Sequence, residues 1–181
     1  MGRQDIPNVI SFLRILLTIP VVWALLEQQF LIALILFFVA GFSDALDGFL
    51  AKQFHWQTKL GGMIDPLADK ILLVSAFLCL GGLGLLPPWL VVLVILRDLL
   101  IVSGVLVYTL QVGQFNAEPS LISKLNTLLQ IVLVLIVVLN QDIFLIQNNL
   151  IEITIYSVAI TTLLSAIGYL VEWRSKTKAI G

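Results

Sequence analysis

The chain reads as an all-α integral membrane protein, a bundle of six transmembrane helices entered through a short N-terminal interfacial segment. Three features carry that expectation. First, 60% of its 181 residues are hydrophobic and only 12% are charged, where an ordinary soluble domain carries about 25% charged residues. Second, the apolar residues gather into six runs, each near the roughly 20 residues that a helix needs to cross a bilayer. Third, runs such as residues 131–139 lack the period-2 alternation of a lipid-facing β-barrel. Inside hydrocarbon only a helix or a closed barrel satisfies every backbone amide, so the runs are expected to be helices. A mean hydropathy of +1.08 excludes an ordinary cytosolic globule and a disordered chain. With a net charge of −1 there is no basic excess for a phosphate backbone, and no nucleic acid is expected as partner. Cys79 is the single cysteine and cannot form an internal disulfide. Six spans with short connections use up the length, so residues 1–181 are expected to form one domain, with no second, soluble one.

The first run covers residues 12–26 with Pro20 inside it. The second covers 30–42 and continues into a polar end at 43–52; residues 67–86, 88–110, 121–139 and 150–171 supply the other four. Turn signals separate them at 27–29, at Gly61-Gly62, and at 84–88, 113–119 and 140–149. The N-terminal residues, with Arg3 and with Arg14 inside the apolar pattern, do not resemble a cleavable signal peptide. An interfacial helix or arm leading into the first span is expected instead.

Of the ten basic residues, Arg3, Arg14, Lys52, Lys59, Lys70, Lys124, Arg174, Lys176 and Lys178 fall on one side if all six runs cross. Arg97 lies within the fourth run, and the opposite loops hold Glu27, Asp142 and Glu152 but no Lys or Arg. Positive charge stays inside, so both termini and the face from Asp44 to Lys70 are expected in the cytoplasm, with a bacterial inner membrane as the expected location.

Asp44 and Asp47 stand three apart at the end of the second span, and Asp65 and Asp69 four apart at the start of the third. Each pair shares a helical face, and a connection of under about 15 residues makes the two helices antiparallel neighbours. Four carboxylates then converge where water meets hydrocarbon. They would repel one another there, and acids in a membrane span are rare and usually functional. Either some carboxyls are held protonated or cations are bound. Lys52, Lys59 and Lys70 are too few for a full set of salt bridges. A divalent ion answers the problem better, and oxygen ligands without nearby His or Cys point to Mg²⁺, Mn²⁺ or Ca²⁺ rather than zinc. Four aspartates suffice for two ions, a pair suited to clamping a phosphoryl group. Gly48, four residues after Asp44, and Gly61, four before Asp65, would let a flat or bulky ligand approach backbone. A solvated helix end with ordinary surface aspartates is the plainer reading, and the spacing of the whole set disfavours it.

These residues also match a family. Asp44-x-x-Asp47-Gly48-x-x-Ala51-Lys52, eight residues, then Gly61-x-x-x-Asp65-x-x-x-Asp69 resembles the D-x-x-D-G-x-x-A-R…G-x-x-x-D-x-x-x-D motif of the CDP-alcohol phosphotransferases. One departure is Lys52, which keeps the charge of the usual arginine but not its bidentate fork. The resemblance covers nearly the whole chain. It implies transfer of a substituted phosphate from a CDP-linked donor to an alcohol, with release of CMP. It also implies two Mg²⁺ or Mn²⁺ ions on Asp44, Asp47 and Asp65. Asp69 would complete the second ion's site or act as general base on the acceptor hydroxyl. Gly48 and Gly61 would flank the cytidine, Asp47, Ala51 and Lys52 would belong to the donor site, and the enzyme would be a homodimer.

The opening Ile6-Pro7-Asn8-Val-Ile-Ser11 with Arg14 resembles the start of the branch that holds phosphatidylglycerophosphate synthases and cardiolipin synthases. That implies CDP-diacylglycerol as donor and an acceptor carrying phosphate, either glycerol 3-phosphate or phosphatidylglycerol. Arg97, Lys124, Asn126 and Thr127 are the candidates for holding that phosphate. Arg97-Asp98 and Pro119-Ser-Leu-Ile-Ser123-Lys124-Leu-Asn126-Thr127-Leu-Leu-Gln130 look like the P-[ST]-x-x-S-K-x-N-T-x-x-Q of the CMP-forming cardiolipin synthases. The sibling branch usually reads Arg-Glu and G-K-x-K-T there. Asparagine in place of lysine removes one cation, which suits a diester acceptor better than a monoester. Phosphatidylglycerol is therefore the expected acceptor and cardiolipin the product, with phosphatidylglycerophosphate synthase as the alternative.

Plainer roles are open to several of these residues. Arg97 and Asp98 would serve as a structural ion pair, although neighbouring side chains point about 100° apart on a helix and a direct pair is not obvious. Lys124 would snorkel, His55 would be solvated, and Trp23, Trp56, Trp89 and Trp173 would form interfacial belts. Arg174, Lys176 and Lys178 read as inside-positive anchors that also attract anionic lipid. A divalent-cation transporter would need its acids near the midplane and a polar path to the opposite face, but the loops there are nearly bare of polar clusters. It would also be expected to show matching interrupted helices in two halves, which the lopsided polar content does not supply. A non-catalytic assembly protein would not need four aspartates at these spacings.

Overall fold

A computed structural model describes the backbone of residues 6–53, 61–112, 120–142 and 144–178, and the side chains of residues 12–43, 70–104, 120–142 and 144–171. Among the described residues there are six helices and no strand: α1 (Ile6–Leu26), α2 (Phe30–Gln53), α3 (Gly61–Gly82), α4 (Pro88–Val112), α5 (Leu121–Asp142) and α6 (Asn148–Lys178). Two of them, over Leu121–Asp142 and Asn148–Val171, are long and apolar enough to cross a membrane; Phe12–Leu26, Phe30–Ser43 and Lys70–Gly82 are shorter apolar stretches.

Two expectations about boundaries are corrected. The helix expected from residue 12 begins at Ile6, so from there on the expected helix or arm leading into the first span is continuous with α1. Pro7 is no obstacle, because the first turn of a helix has no use for its missing N–H. Gly61-Gly62 opens α3 instead of forming a turn, since a glycine pair at a helix start breaks no completed ladder.

The chain divides into two compact units. One comprises Met1–Leu86 with Val137–Leu145, the other Pro87–Ile136 with Ile146–Gly181. In the first, α1 packs against both α2 and α3. Ala24, Ala33, Ala40 and Ala76 are buried between larger Val21, Leu25, Leu73, Phe77 and Leu80, and such small residues allow close helix approach where lipid supplies no hydrophobic drive. α1 ends in a Schellman turn: Gln29 N–H donates to Ala24 O (2.8 Å) and Gln28 N–H to Leu25 O (3.0 Å), with Gln28 at φ 56°. α3 ends the same way, Leu85 N–H on Leu80 O (2.9 Å) and Gly84 N–H on Gly81 O (3.1 Å), with Gly84 at φ 74°.

In the second unit, Pro88 occupies the first position of α4, where proline fits best. Ser120 caps α5, its Oγ accepting from Ser123 N–H at 3.2 Å. Trp89 stacks on Tyr156 (ring centroids 6.3 Å apart), Arg97 bonds Ser165, and Gly104 lies against Tyr169. Both members of these pairs rise in number together, so α4 and α6 run parallel. Asn126 meets Thr161 and Thr162, while Arg97 joins Ser123 to Ser165, so α5 runs antiparallel to both. Burial is inverted relative to a soluble protein. Arg14, Arg97, Asp98, Asn126 and Gln130 are enclosed, while Ile19, Phe42, Leu99, Ile153 and Ile167 are exposed. Lipid, not water, tolerates such a surface.

Candidate active site

The acid motif lies on two helices. Positions 44, 47, 48, 51 and 52 fall within the last three turns of α2, and 61, 65 and 69 within the first three of α3. An unbroken helical backbone through both segments keeps 44 in register with 47, and 65 with 69, on one helical face each. The side chains of Asp44, Asp47, Ala51, Lys52, Asp65 and Asp69 lie outside the described ones, as does the loop carrying His55 and Lys59. Among the described residues no three His, Cys, Asp or Glu gather as a metal site.

The residues expected on the acceptor side are described in detail, all within the second unit. Arg97 in α4 is enclosed at 3% exposure. Its Nη1 donates to Asp98 Oδ1 at 2.7 Å, Nε and Nη2 reach Ser165 Oγ at 3.2 and 2.6 Å, and Nη2 donates to Ser123 Oγ at 2.5 Å. One guanidinium thus ties three helices together. The direct Arg97–Asp98 pair corrects the expectation from helical geometry. A 100° offset separates Cβ directions, but the long side chain beyond Cβ gives the arginine's Nη1 enough reach to fold back along its own helix. A charge buried this deeply persists only with such a partner and several hydrogen bonds.

Lys124 is exposed, and its position is set by the cap, with its backbone N–H on Ser120 O at 3.1 Å. Thr127 is half-buried and spends its hydroxyl proton on Ser123 O at 3.2 Å. Asn126 is fully buried, and its Oδ1 accepts from the hydroxyls of Thr161 and Thr162, each at 2.9 Å. Of the four candidates, then, Lys124 alone presents an exposed cation, while Arg97 and Asn126 are embedded in contacts with α6. Thr161, Thr162 and Ser165 are the partners that sequence reasoning missed, while Ser123 entered it only as part of the α5 motif. Hydroxyls four residues apart on an apolar helix were the available signal, since they share one face.

The chain's likeness to known proteins agrees with the motif. The sequence pattern of the CDP-alcohol phosphatidyltransferase family matches residues 4–170. The chain is 31% identical to chloroplastic CDP-diacylglycerol–glycerol-3-phosphate 3-phosphatidyltransferase 1 of Oryza sativa subsp. japonica, over 96% of its own length and 59% of the rice protein's. It is 36% identical to cardiolipin synthase (CMP-forming) of Homo sapiens, over 71% of this chain and 48% of that one. It is also 31% identical to CDP-diacylglycerol–glycerol-3-phosphate 3-phosphatidyltransferase of Aquifex aeolicus, over 69% of this chain and 70% of the relative. It therefore spans about half to three fifths of the rice and human proteins. With the pattern taking in all of α1 to α5 and α6 as far as residue 170, and with all four acids inside it, the chain belongs to the CDP-alcohol phosphatidyltransferase family.

Proposed function

We propose that the protein is a membrane phosphatidyltransferase that joins the phosphatidyl group of CDP-diacylglycerol to a hydroxyl of phosphatidylglycerol, yielding cardiolipin and CMP. The observation that carries this reading is the complete four-aspartate motif on α2 and α3, inside the region matched by the family. The acceptor oxygen bonds to the phosphatidyl phosphorus as the P–O bond to CMP breaks, and Asp69 takes the hydroxyl proton. Asp44, Asp47, Asp65 and Asp69 are all-oxygen donors with no thiol or imidazole among them, a set that fits Mg²⁺ or Mn²⁺. Two such ions, when bound, supply positive charge for the pyrophosphate and for the departing CMP. Asp47, Gly48, Ala51, Lys52 and Gly61 hold the donor's nucleotide. On the acceptor side Lys124 meets the phosphate, and Arg97, Asn126 and Thr127 order the start of α5 around it.

Phosphatidylglycerol is preferred because Asn126 stands where the sibling branch usually has lysine. Glycerol 3-phosphate is the second reading, favoured by the names of the rice and Aquifex relatives. A divalent-cation transporter is disfavoured by the family match. The reading includes one domain of six spans in a bacterial inner membrane, both termini and the acids on the cytoplasmic side, and a homodimer. The alternating directions of α4, α5 and α6 and the apolar exterior support the spans.

The test offers purified protein CDP-diacylglycerol and Mg²⁺ or Mn²⁺ with either phosphatidylglycerol or glycerol 3-phosphate, with and without chelator. CMP release with phosphatidylglycerol alone, abolished by chelator, is expected. Release with glycerol 3-phosphate alone selects the sibling reaction, and no release with either ends both readings.

A further inference from the structure

Two enclosed polar side chains play no part in the chemistry so far. Gln130 of the second unit is uncharged and 0% exposed, and neither amide atom has a hydrogen-bond partner. Arg14 of the first unit is a full charge at 1% exposure, and a charge is by far the costlier group to enclose. It lies on the buried face of α1 with Thr18, Val21 and Leu25. It takes part in polar or electrostatic contact beyond the bond that its carbonyl accepts from Thr18 Oγ1 at 3.1 Å. A guanidinium held this deep calls for a carboxylate. The first unit's acids outside the motif are poorly placed to supply it. Glu27 is exposed and roughly 20 Å further along α1, Asp142 is exposed at the end of α5, and Asp5 lies nine residues, over two helical turns, before Arg14. The motif acids stand on α2 and α3, both of which pack against α1. A three-residue connection, 27–29, makes α1 and α2 antiparallel neighbours and sets their register. Arg14 stands twelve residues before the end of α1 at Leu26, and Phe42 twelve after the start of α2 at Phe30. Asp44 is two residues beyond that level, about 3 Å, and Asp47 about 7.5 Å. Phe42 itself is 69% exposed, but position 44 shares a helical face with Ala33 and Ala40, enclosed at 2% and 0%.

We propose that Arg14 is a positioning residue for the metal centre: from α1 its guanidinium holds the Asp44 carboxylate and presents that ligand to the ion. This rests on the reading of the four acids as metal ligands. A ligating carboxylate is itself hydrogen-bonded, and loss of such an outer partner typically costs about 10–100-fold in metal affinity. Arginine suits the duty because its planar fork fixes a carboxylate's orientation. Its constant charge also offsets the repulsion among four neighbouring acids before any metal arrives.

The test is a Mn²⁺ titration of the purified protein in detergent, without substrate, with free Mn²⁺ read by electron paramagnetic resonance. Arg14→Met is expected to weaken binding by about 10–100-fold. Arg14→Lys, which keeps the charge and loses the fork, is expected to weaken it by a smaller factor. A merely structural arginine would lower Tm and leave the affinity of the folded protein alone. Arg14→Met binding Mn²⁺ within about twofold of the parent, or more tightly, therefore overturns the role. Unfolding without metal identifies the partner. Asp44→Asn is expected to recover part of the Tm lost in Arg14→Met, and more of it than Asp65→Asn does, because it neutralises the carboxylate left stranded. Equal recovery overturns the pairing with Asp44. Should Arg14→Met fail to fold, Arg14→Lys at the parent's full affinity has the same force against the role. A parent that binds no Mn²⁺ overturns the metal reading of the acids itself, and the positioning role with it.

Discussion

Removing the carboxylate charge at position 98 exposes how the second unit is held together. Arg97 and Asp98 sit 2.7 Å apart with side chains 2% and 6% exposed, so solvent does not screen the pair. Breaking a buried pair by removing one partner costs about 3–5 kcal/mol, because the remaining charge is stranded, whereas replacing both by apolar groups of similar volume is often neutral. Asp98→Leu strips the guanidinium of its carboxylate but leaves it the hydroxyls of Ser123 and Ser165, so it belongs at the low end, about 3 kcal/mol. Arg97→Met takes the bonded cation from the aspartate and also releases the hydroxyls of Ser123 and Ser165, which places it nearer ~5 kcal/mol. The double variant Arg97→Met/Asp98→Leu is expected within about 1 kcal/mol of the parent, a coupling energy of several kcal/mol in the cycle. Reversible unfolding in mixed detergent, read by α-helical circular dichroism, measures all four corners. Single variants within about 0.5 kcal/mol of the parent, or a double variant costing the sum of the singles, would refute the claim that each charge is retained for the other. Acceptor affinity should not return with stability in the double variant, because Ser123, one residue from Lys124, stays untethered.

The two Schellman turns predict opposite signs for opposite changes. Gly84→Ala forces a Cβ into φ 74° and should cost about 1–2 kcal/mol of unfolding free energy, while Gln28→Gly relieves φ 56° and should gain about 0.5–1 kcal/mol; equal effects would mean that the turns are not held as described. A Cβ on Gly104 would lie 2.7 Å from Tyr169 Oη and 2.8 Å from Cε1, so Gly104→Ala should lower stability by about 1–3 kcal/mol. Tyr169→Leu in that background should recover part of it, and a Gly104→Ala variant as stable as its parent shows that α4 and α6 approach less closely. Asp69→Asn should abolish CMP release while CDP-diacylglycerol binding stays measurable by equilibrium dialysis, whereas Asp47→Asn should lose both. Equal loss of binding in the two variants makes Asp69 chiefly a metal ligand.

Some positions were legible without a structure and others were not, for identifiable reasons. The four acids and two glycines stand out because lipid makes polar residues rare in spans, so their spacing carries information. Helix ends were readable where glycine or proline marks them, as at Gly84 and Pro88. The end at Leu26 was readable as well, from the polar residues 27–29 between two apolar runs; what the sequence did not show is that two backbone hydrogen bonds hold the non-glycine Gln28 in the left-handed region. The start of α1 at Ile6 was not legible because amphiphilic composition at 6–11 does not interrupt hydrogen bonding along the helix. The Arg97–Asp98 pair was among the plainer roles open to these residues but its direct contact was not obvious, because a helical wheel places Cβ atoms and says nothing of a long side chain that folds back.

Composition together with the absence of period-2 alternation points to the helical class of this protein, since in lipid only helices or a closed barrel satisfy the backbone and a barrel would alternate. Motif spacing pointed to its family, which the match over residues 4–170 establishes. Tertiary structure decided the rest: that Arg97 is bound to α5 and α6, that Asn126 gives its oxygen to α6, and that Gln130 is enclosed and unanswered. Those facts depend on which residue of one helix meets which residue of another. Spacing along a single helix carries no record of such meetings, because contacts between helices are chosen by packing across the bundle.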